Sequence, residues 1–82
     1  MPSQKAIIST ALAKASTAVQ LDNSQYYSGA RKYYVEACEL LDQVITRVNN
    51  GPDRQKLERV RIAYIHRIRQ LDDALGEPSE EA

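Results

Sequence analysis

Three groups of side chains in this 82-residue sequence carry atoms that do chemistry elsewhere: His66, Cys38 and the pair Asp72–Asp73. A histidine acting as general base needs a nucleophile or a substrate proton within hydrogen-bond reach. At helical spacing His66 is neighboured by Ile62, Arg69 and Gln70, none of which is a nucleophile. It reads as a solvent-facing helix residue. Cys38 is the only cysteine and His66 the only histidine, so there is neither an internal disulfide nor a soft-ligand set for structural zinc. Cys38 reads as a small, partly buried apolar group. Asp72 and Asp73 are adjacent, so on a helix they diverge by about 100°, a poor start for a two-carboxylate site. No glycine-rich phosphate loop occurs. The expectation is a chain without catalysis, metal or cofactor.

Binding chemistry is the alternative, and charge bounds it. Eleven Lys and Arg balance eleven Asp and Glu, whereas a generic nucleic-acid binder needs a basic excess to displace counterions. Arg54, Lys56, Arg59 and Arg61 crowd one stretch that also holds Glu58. That run reads as a solvated helix face rather than a lipid or tubulin site. No stretch of about 18 apolar residues exists to span a bilayer, and the start is too polar for a secretory leader. The expected setting is a reducing cytoplasm, with membrane association only indirect.

The elements that must position any binding surface follow from composition and periodicity. Ten of the hydrophobic residues are Ala, eighteen are Val, Ile or Leu, five are Tyr, and Phe and Trp are absent. Glycine and proline number three each, a balance that favours helix over sheet. Two clusters of turn formers, Leu21–Ser24 and Asn49–Asp53, cut the chain into three periodic stretches. The first helix is expected from about residue 4 to 21, with Ile7, Ile8, Ala11, Leu12, Ala15, Ala18 and Val19 recurring at three- and four-residue spacing. The second is expected from residue 24 or 25 to 48, capped by Asp22, Asn23 or Ser24, with Tyr27, Ala30, Tyr34, Ala37, Leu41, Ile45 and Val48 in one stripe. The third begins after Asp53, taken as its N-cap, and ends at Leu75 before Gly76 and Pro78; Leu57, Val60, Tyr64, Leu71 and Leu75 form its inner face. Short connections make the fold class all-α, an antiparallel up-down-up three-helix bundle over residues 1–76. The acidic stretch 77–82 reads as the start of a linker.

Each helix of such a bundle needs one apolar stripe, yet two of them carry more. On the second helix Tyr26, Tyr33 and Leu40 repeat at seven along one flank, continued by Val44. On the third, Ile65 lies about 100° and Ile62 about 160° from Tyr64, with Ile68 between the regions. Scattered exposed apolar residues are ordinary. Two flanks with a trough between them suit a docked amphipathic helix.

The pattern Asp22, Tyr27, Ala30, Tyr34, Ala37, which is D-x4-Y-x2-A-x3-Y-x2-A, resembles the second helix of the MIT domain, the microtubule-interacting and trafficking module. Tyr64, Arg67, Leu71 and Leu75 resemble that family's third helix, and Ala11, Leu12, Ala15 and Ala18 its first; together they cover about residues 6–75. The resemblance implies a non-catalytic adaptor that recruits its parent protein to the C-terminal tails of ESCRT-III subunits in endosomal sorting and vesicle trafficking. The parents of such modules include AAA ATPases, proteases and kinases. It also implies two modes. In one, a short amphipathic helix lies between the second and third helices, here against Tyr33, Ala37, Leu40, Val44, Arg61, Ile65, Ile68 and Arg69, with Ile65 at the centre. In the other, held less favoured, an extended segment lies between the first and third, against Leu12, Ala15 and Val19.

One departure from the family pattern concerns charge. Where acidic residues flank the groove in the familiar ATPase version, this chain holds His66 and Arg69, with Arg61 one turn earlier. A partner with carboxylates is expected there, or use of the other groove. For Arg67, an acidic partner such as Asp42 or Glu39 is expected. A monomer with an open groove is anticipated; the competing reading is a structural module in which Ile62, Ile65, Tyr33 and Leu40 close a seam with its own chain or a second copy. The neutral total conceals opposed segments, with −2 over residues 22–42 and +2 over residues 53–73.

Overall fold

A computed structural model of the chain describes residues 3–49 and 51–76. It shows three consecutive helices, α1 (Gln4–Asn23), α2 (Tyr27–Ile45) and α3 (Pro52–Ala74), packed as an antiparallel bundle. The expected linker 77–82 lies outside the described residues.

Ser3 starts α1: its Oγ accepts from the Ala6 N–H at 3.1 Å, satisfying one of the orphan donors of the first turn. The residues expected to cap the second helix instead finish the first. Asp22 and Asn23 remain helical and Ser24 is the C-cap of α1. Gln25 then turns left-handed at φ 67°. Its N–H donates to the Asp22 carbonyl at 3.0 Å, and the Tyr26 N–H donates to the Leu21 carbonyl at 2.8 Å. These two bonds define a Schellman stop. Tyr26 becomes the N-cap of α2, with no side-chain cap bond. Glycine is the usual residue at the left-handed position because a Cβ there is strained by about 1–2 kcal/mol. Gln25→Gly is therefore expected to stabilise the fold by roughly 0.5–1 kcal/mol, the strain relief less the extra unfolded-state freedom of glycine. Thermal unfolding followed by circular dichroism checks this; a lower melting temperature than wild type would refute it.

The second break is longer than expected. α2 stops at Ile45, and α3 starts at Pro52, so Asp53 is a first-turn residue rather than the N-cap. Proline at the first helical position has no N–H to leave orphaned, and a first-turn carboxylate complements the helix dipole. Gly76, left-handed at φ 67°, follows α3 as expected, and its N–H donates to the Asp73 carbonyl at 3.1 Å.

α2 is the central element. Cα atoms of α1 and of α3 come within 8 Å of those of α2, whereas none of α1 does so to α3. Alanines explain the close approach of α1 to α2: Ala11, Ala15, Ala18, Ala30 and Ala37 are all buried. Two clusters stack along the bundle, one of Ala18, Ala30, Tyr34 and Leu71, the other of Ala11, Leu41 and Ile45. Leu57, Val60 and Tyr64 of α3 pack against the second. Three residues assigned to inner faces lie outside instead: Leu12, Val19 and Leu75 are exposed. Apolar periodicity marks a stripe wider than a two-neighbour bundle can cover.

Candidate functional site

Polar contacts between the helices define three seams and fix which side chains line each. On the α1/α2 seam, Lys14 Nζ meets Glu36 Oε1 at 2.8 Å and lies 5.7 Å from the Tyr33 ring centroid. Tyr33 and Leu40 both pack on core clusters that include residues of α1. The seven-residue flank therefore turns toward α1, which removes Tyr33 and Leu40 from the α2/α3 groove expected for them. The period alone does not decide this, because both sides of a central helix flank its core stripe. Ala37 and Val44 are also corrected: both are fully buried, so neither presents a surface to a peptide.

The α2/α3 seam is built from a different row of α2. Arg31 pairs with Asp72, Cys38 Sγ approaches the Arg61 carbonyl oxygen at 3.8 Å, and Asp42 Oδ1 meets Arg61 Nε at 2.9 Å. Arg31, Val35, Cys38 and Asp42 stand at i, i+4, i+7 and i+11, one face of a helix. Facing them, Arg61, Ile65, Ile68 and Asp72 repeat the same spacing on α3. Val35, Cys38, Ile65 and Ile68 are each half-buried and form the apolar floor between the two bridges. Ile62, 51% exposed, and Arg69, also exposed, stand on the outer lip of α3. Burial pushes the Cys38 thiol above its usual value, so its thiolate, the reactive form, is scarcer than in a free cysteine. Of the residues expected here, Arg61, Ile65, Ile68 and Arg69 are brought together; Val35, Cys38 and Asp42 join them without having been expected. The row Arg31, Val35, Cys38, Asp42 is visible in the sequence at i, i+4, i+7 and i+11, but half of it is polar.

The α1/α3 seam is the widest. Near one end Arg67 of α3 spans it, its Nε 2.7 Å from Asp22 Oδ2 and its Nη2 2.6 Å from Asp22 Oδ1. The Tyr34 hydroxyl donates to Asp22 Oδ2 at 3.2 Å, and the other Arg67 nitrogen donates to Gln70. This corrects the expected partner: Arg67 leans toward α1, while Asp42 is held by Arg61. The Arg67 guanidinium holds the Asp22 carboxyl below its ordinary range, and burial pushes the Tyr34 hydroxyl up. Near the other end Gln4, Ile8, Val48, Asp53, Lys56 and Leu57 line an open cleft of about 250 Å³. Between the two ends Leu12 (51% exposed) and Val19 (43% exposed) stand on α1, with Ala15 buried beneath. Among the described residues no group of three or more His, Cys, Asp or Glu is placed to hold a metal ion. No helix among them is long and apolar enough to cross a membrane.

The arrangement offers two apolar seams with charged edges, the α1/α3 seam wider than the α2/α3 seam. Comparison with known proteins agrees with that chemistry. The family model of the MIT (microtubule interacting and transport) domain matches residues 8–73, spanning parts of all three helices. No curated protein and no solved structure matches the chain.

Proposed function

The chain belongs to the MIT family, generally a protein-binding and non-catalytic module, and we propose that it recruits its parent protein to the C-terminal tails of ESCRT-III subunits in the cytoplasm. The observation that carries this reading is the location of the apolar surface left over from the core. Ile62 stands beside half-buried Ile65 along the α2/α3 seam, and Leu12 and Val19 stand along the α1/α3 seam. Apolar side chains set along an interhelical trough, rather than scattered, mark a surface that another chain covers. The α2/α3 trough suits a short helix lying on Val35, Cys38, Ile65 and Ile68. A second groove is supported by its own observation: α1 and α3 stand farther apart, and a cleft opens at one end beside Ile8 and Leu57. That wider trough suits an extended segment over Leu12, Ala15 and Val19.

Titration of the domain with a panel of ESCRT-III tail peptides tests the proposal. At least one is expected to bind with a Kd below about 1 mM, weaker than about −4 kcal/mol being negligible in a cell. Ile65→Asp is expected to abolish binding of helical tails, because it buries a charge in the contact. Leu12→Asp is expected to abolish binding of extended ones. Both variants should keep wild-type helical content by circular dichroism. Absence of binding by every tail to a folded domain would sink the proposal.

A further inference from the structure

The α2/α3 seam carries a pair of cations that no ion pair among the described residues holds. Arg31 and Asp72 bridge the seam and fix its register. Lys32 follows Arg31 on α2, and Arg69 lies one turn before Asp72 on α3, so one cation from each wall stands at nearly the same level. At about 100° per residue Arg69 falls on the outer side of the bridge, and Lys32 projects outward from α2, about 100° from Arg31 and about 40° from Glu36. Both are exposed, and neither makes an ion pair among the described residues. The nearby carboxylates are Asp72, held by Arg31; Glu36, held by Lys14 and also attracted by Lys32 one turn away; and Asp73, four residues beyond Arg69. His66, also exposed, lies one turn before Arg69 on the same lip. Below the two cations lies the apolar floor of Val35 and Ile68, continuing to Cys38 and Ile65. Farther along, exposed Glu39 stands about two turns from Lys32 on α2, or about 10 Å.

We propose that this seam selects an amphipathic peptide helix bearing a carboxylate that sits between Lys32 and Arg69, its apolar ridge resting on Val35, Cys38, Ile65 and Ile68. This rests on the peptide-binding reading above and specifies the partner's chemistry. Two parallel rows of side chains at three- and four-residue spacing form a groove that takes the ridge of a third helix. An acid between two cations gains attraction to both walls, in addition to the attraction Lys32 already has to Glu36 along its own helix. Glu39 disfavours a second acid two turns along and favours a base there, so the charge order also sets the direction in which the helix lies.

The test uses two synthetic helical peptides of about 15 residues with the same leucine ridge, one carrying Glu at the flanking position and one carrying Lys. They are titrated against the domain at low and high salt, with amide shifts mapped by NMR. The Glu peptide is expected to bind about tenfold more tightly than the Lys peptide, with the preference shrinking in high salt. The perturbed amides should include Val35, Ile65 and Ile68. The double variant Lys32→Glu/Arg69→Glu, altered only at exposed positions, is expected to reverse the preference. Equal binding of both peptides, abolished by Ile65→Asp, would overturn the charge inference while leaving the groove reading intact. Shifts confined to Leu12 and Val19 would also overturn it, moving the site to the α1/α3 seam. No binding by either peptide, with ESCRT-III tails also inert, would remove both.

Discussion

Replacing Leu71 with alanine is expected to cost the domain about 3–4 kcal/mol, most of the stability of a fold this small. Leu71 is the only buried residue of α3 and is fully enclosed. Its neighbours in the core are Ala18, Ala30 and Tyr34. Two of those are alanines on helices already in close contact, so they have no side chain with which to fill the space left behind. The cavity therefore persists, which puts the loss toward the upper part of the leucine-to-alanine range. α2 carries six buried residues, so Leu41→Ala removes one anchor among several there. In α3 the same change removes the anchor on which the half near Arg67 depends. The melting temperature should fall by about 15 °C or more, at roughly 4–8 °C per kcal/mol for a domain of this size. Hydrogen exchange should show amides of residues 64–74 losing protection before those of α2. A loss below about 1 kcal/mol would mean that the helices close over the gap, and that α3 is held chiefly by its polar bridges.

The reason α3 depends on so few contacts bears on what is legible in the sequence. Three helices, their order and their antiparallel packing follow from periodicity and from Gly51, Pro52 and Gly76, because helix breakers act locally. The family is legible from the spacing of Asp22, Tyr27, Ala30, Tyr34 and Ala37, since small residues alternating with tyrosines record where helices touch. The seams are not. Tyr33 and Leu40 fall on the other side of α2 from the one expected, because a helical wheel gives angles but not which neighbour lies at each angle. The polar pairings Lys14–Glu36, Arg31–Asp72 and Asp42–Arg61 resolve that ambiguity, and each joins residues far apart in the chain. Long side chains reach across more than one turn, so spacing alone does not choose among their partners. The turn after α1 is hidden for a different reason. Asp22, Asn23 and Ser24 are all good N-cap residues, but a left-handed Gln25 ends the first helix after them, and glutamine gives no signal for that conformation.

Asp22, a cap former by type, is a structural acid here, so removing its charge is expected to cost about 2 kcal/mol at neutral pH. Its side chain is only 12% exposed and accepts two hydrogen bonds from Arg67 and one from Tyr34. Charge-assisted bonds to a poorly hydrated carboxylate are worth more than the usual surface pair, although the partly exposed arginine limits the gain. In Asp22→Asn the amide oxygen, placed where Oδ2 now lies, can still accept from Tyr34 and Arg67 Nε, but the N–H₂ must then face the Arg67 Nη2 donor and the charge is gone. The pH dependence distinguishes charge from shape. Arg67 holds the native carboxyl below its ordinary value of 3.8. A lowered native pKa means that the unfolded chain binds the proton first, so the stabilisation is complete above about pH 5 and lost as the pH falls through the native value. The gap between wild type and Asp22→Asn should therefore narrow steadily below about pH 5, as wild type alone loses this contribution. Urea unfolding at a series of pH values measures it. A gap that stays constant into strong acid would show that the substitution disturbs packing rather than charge. In a double-mutant cycle with Arg67→Gln, the coupling should account for most of the neutral-pH loss and should fall toward zero in acid. Tyr34→Phe should show a smaller loss with the same pH trend, because its hydroxyl donates to the same carboxylate.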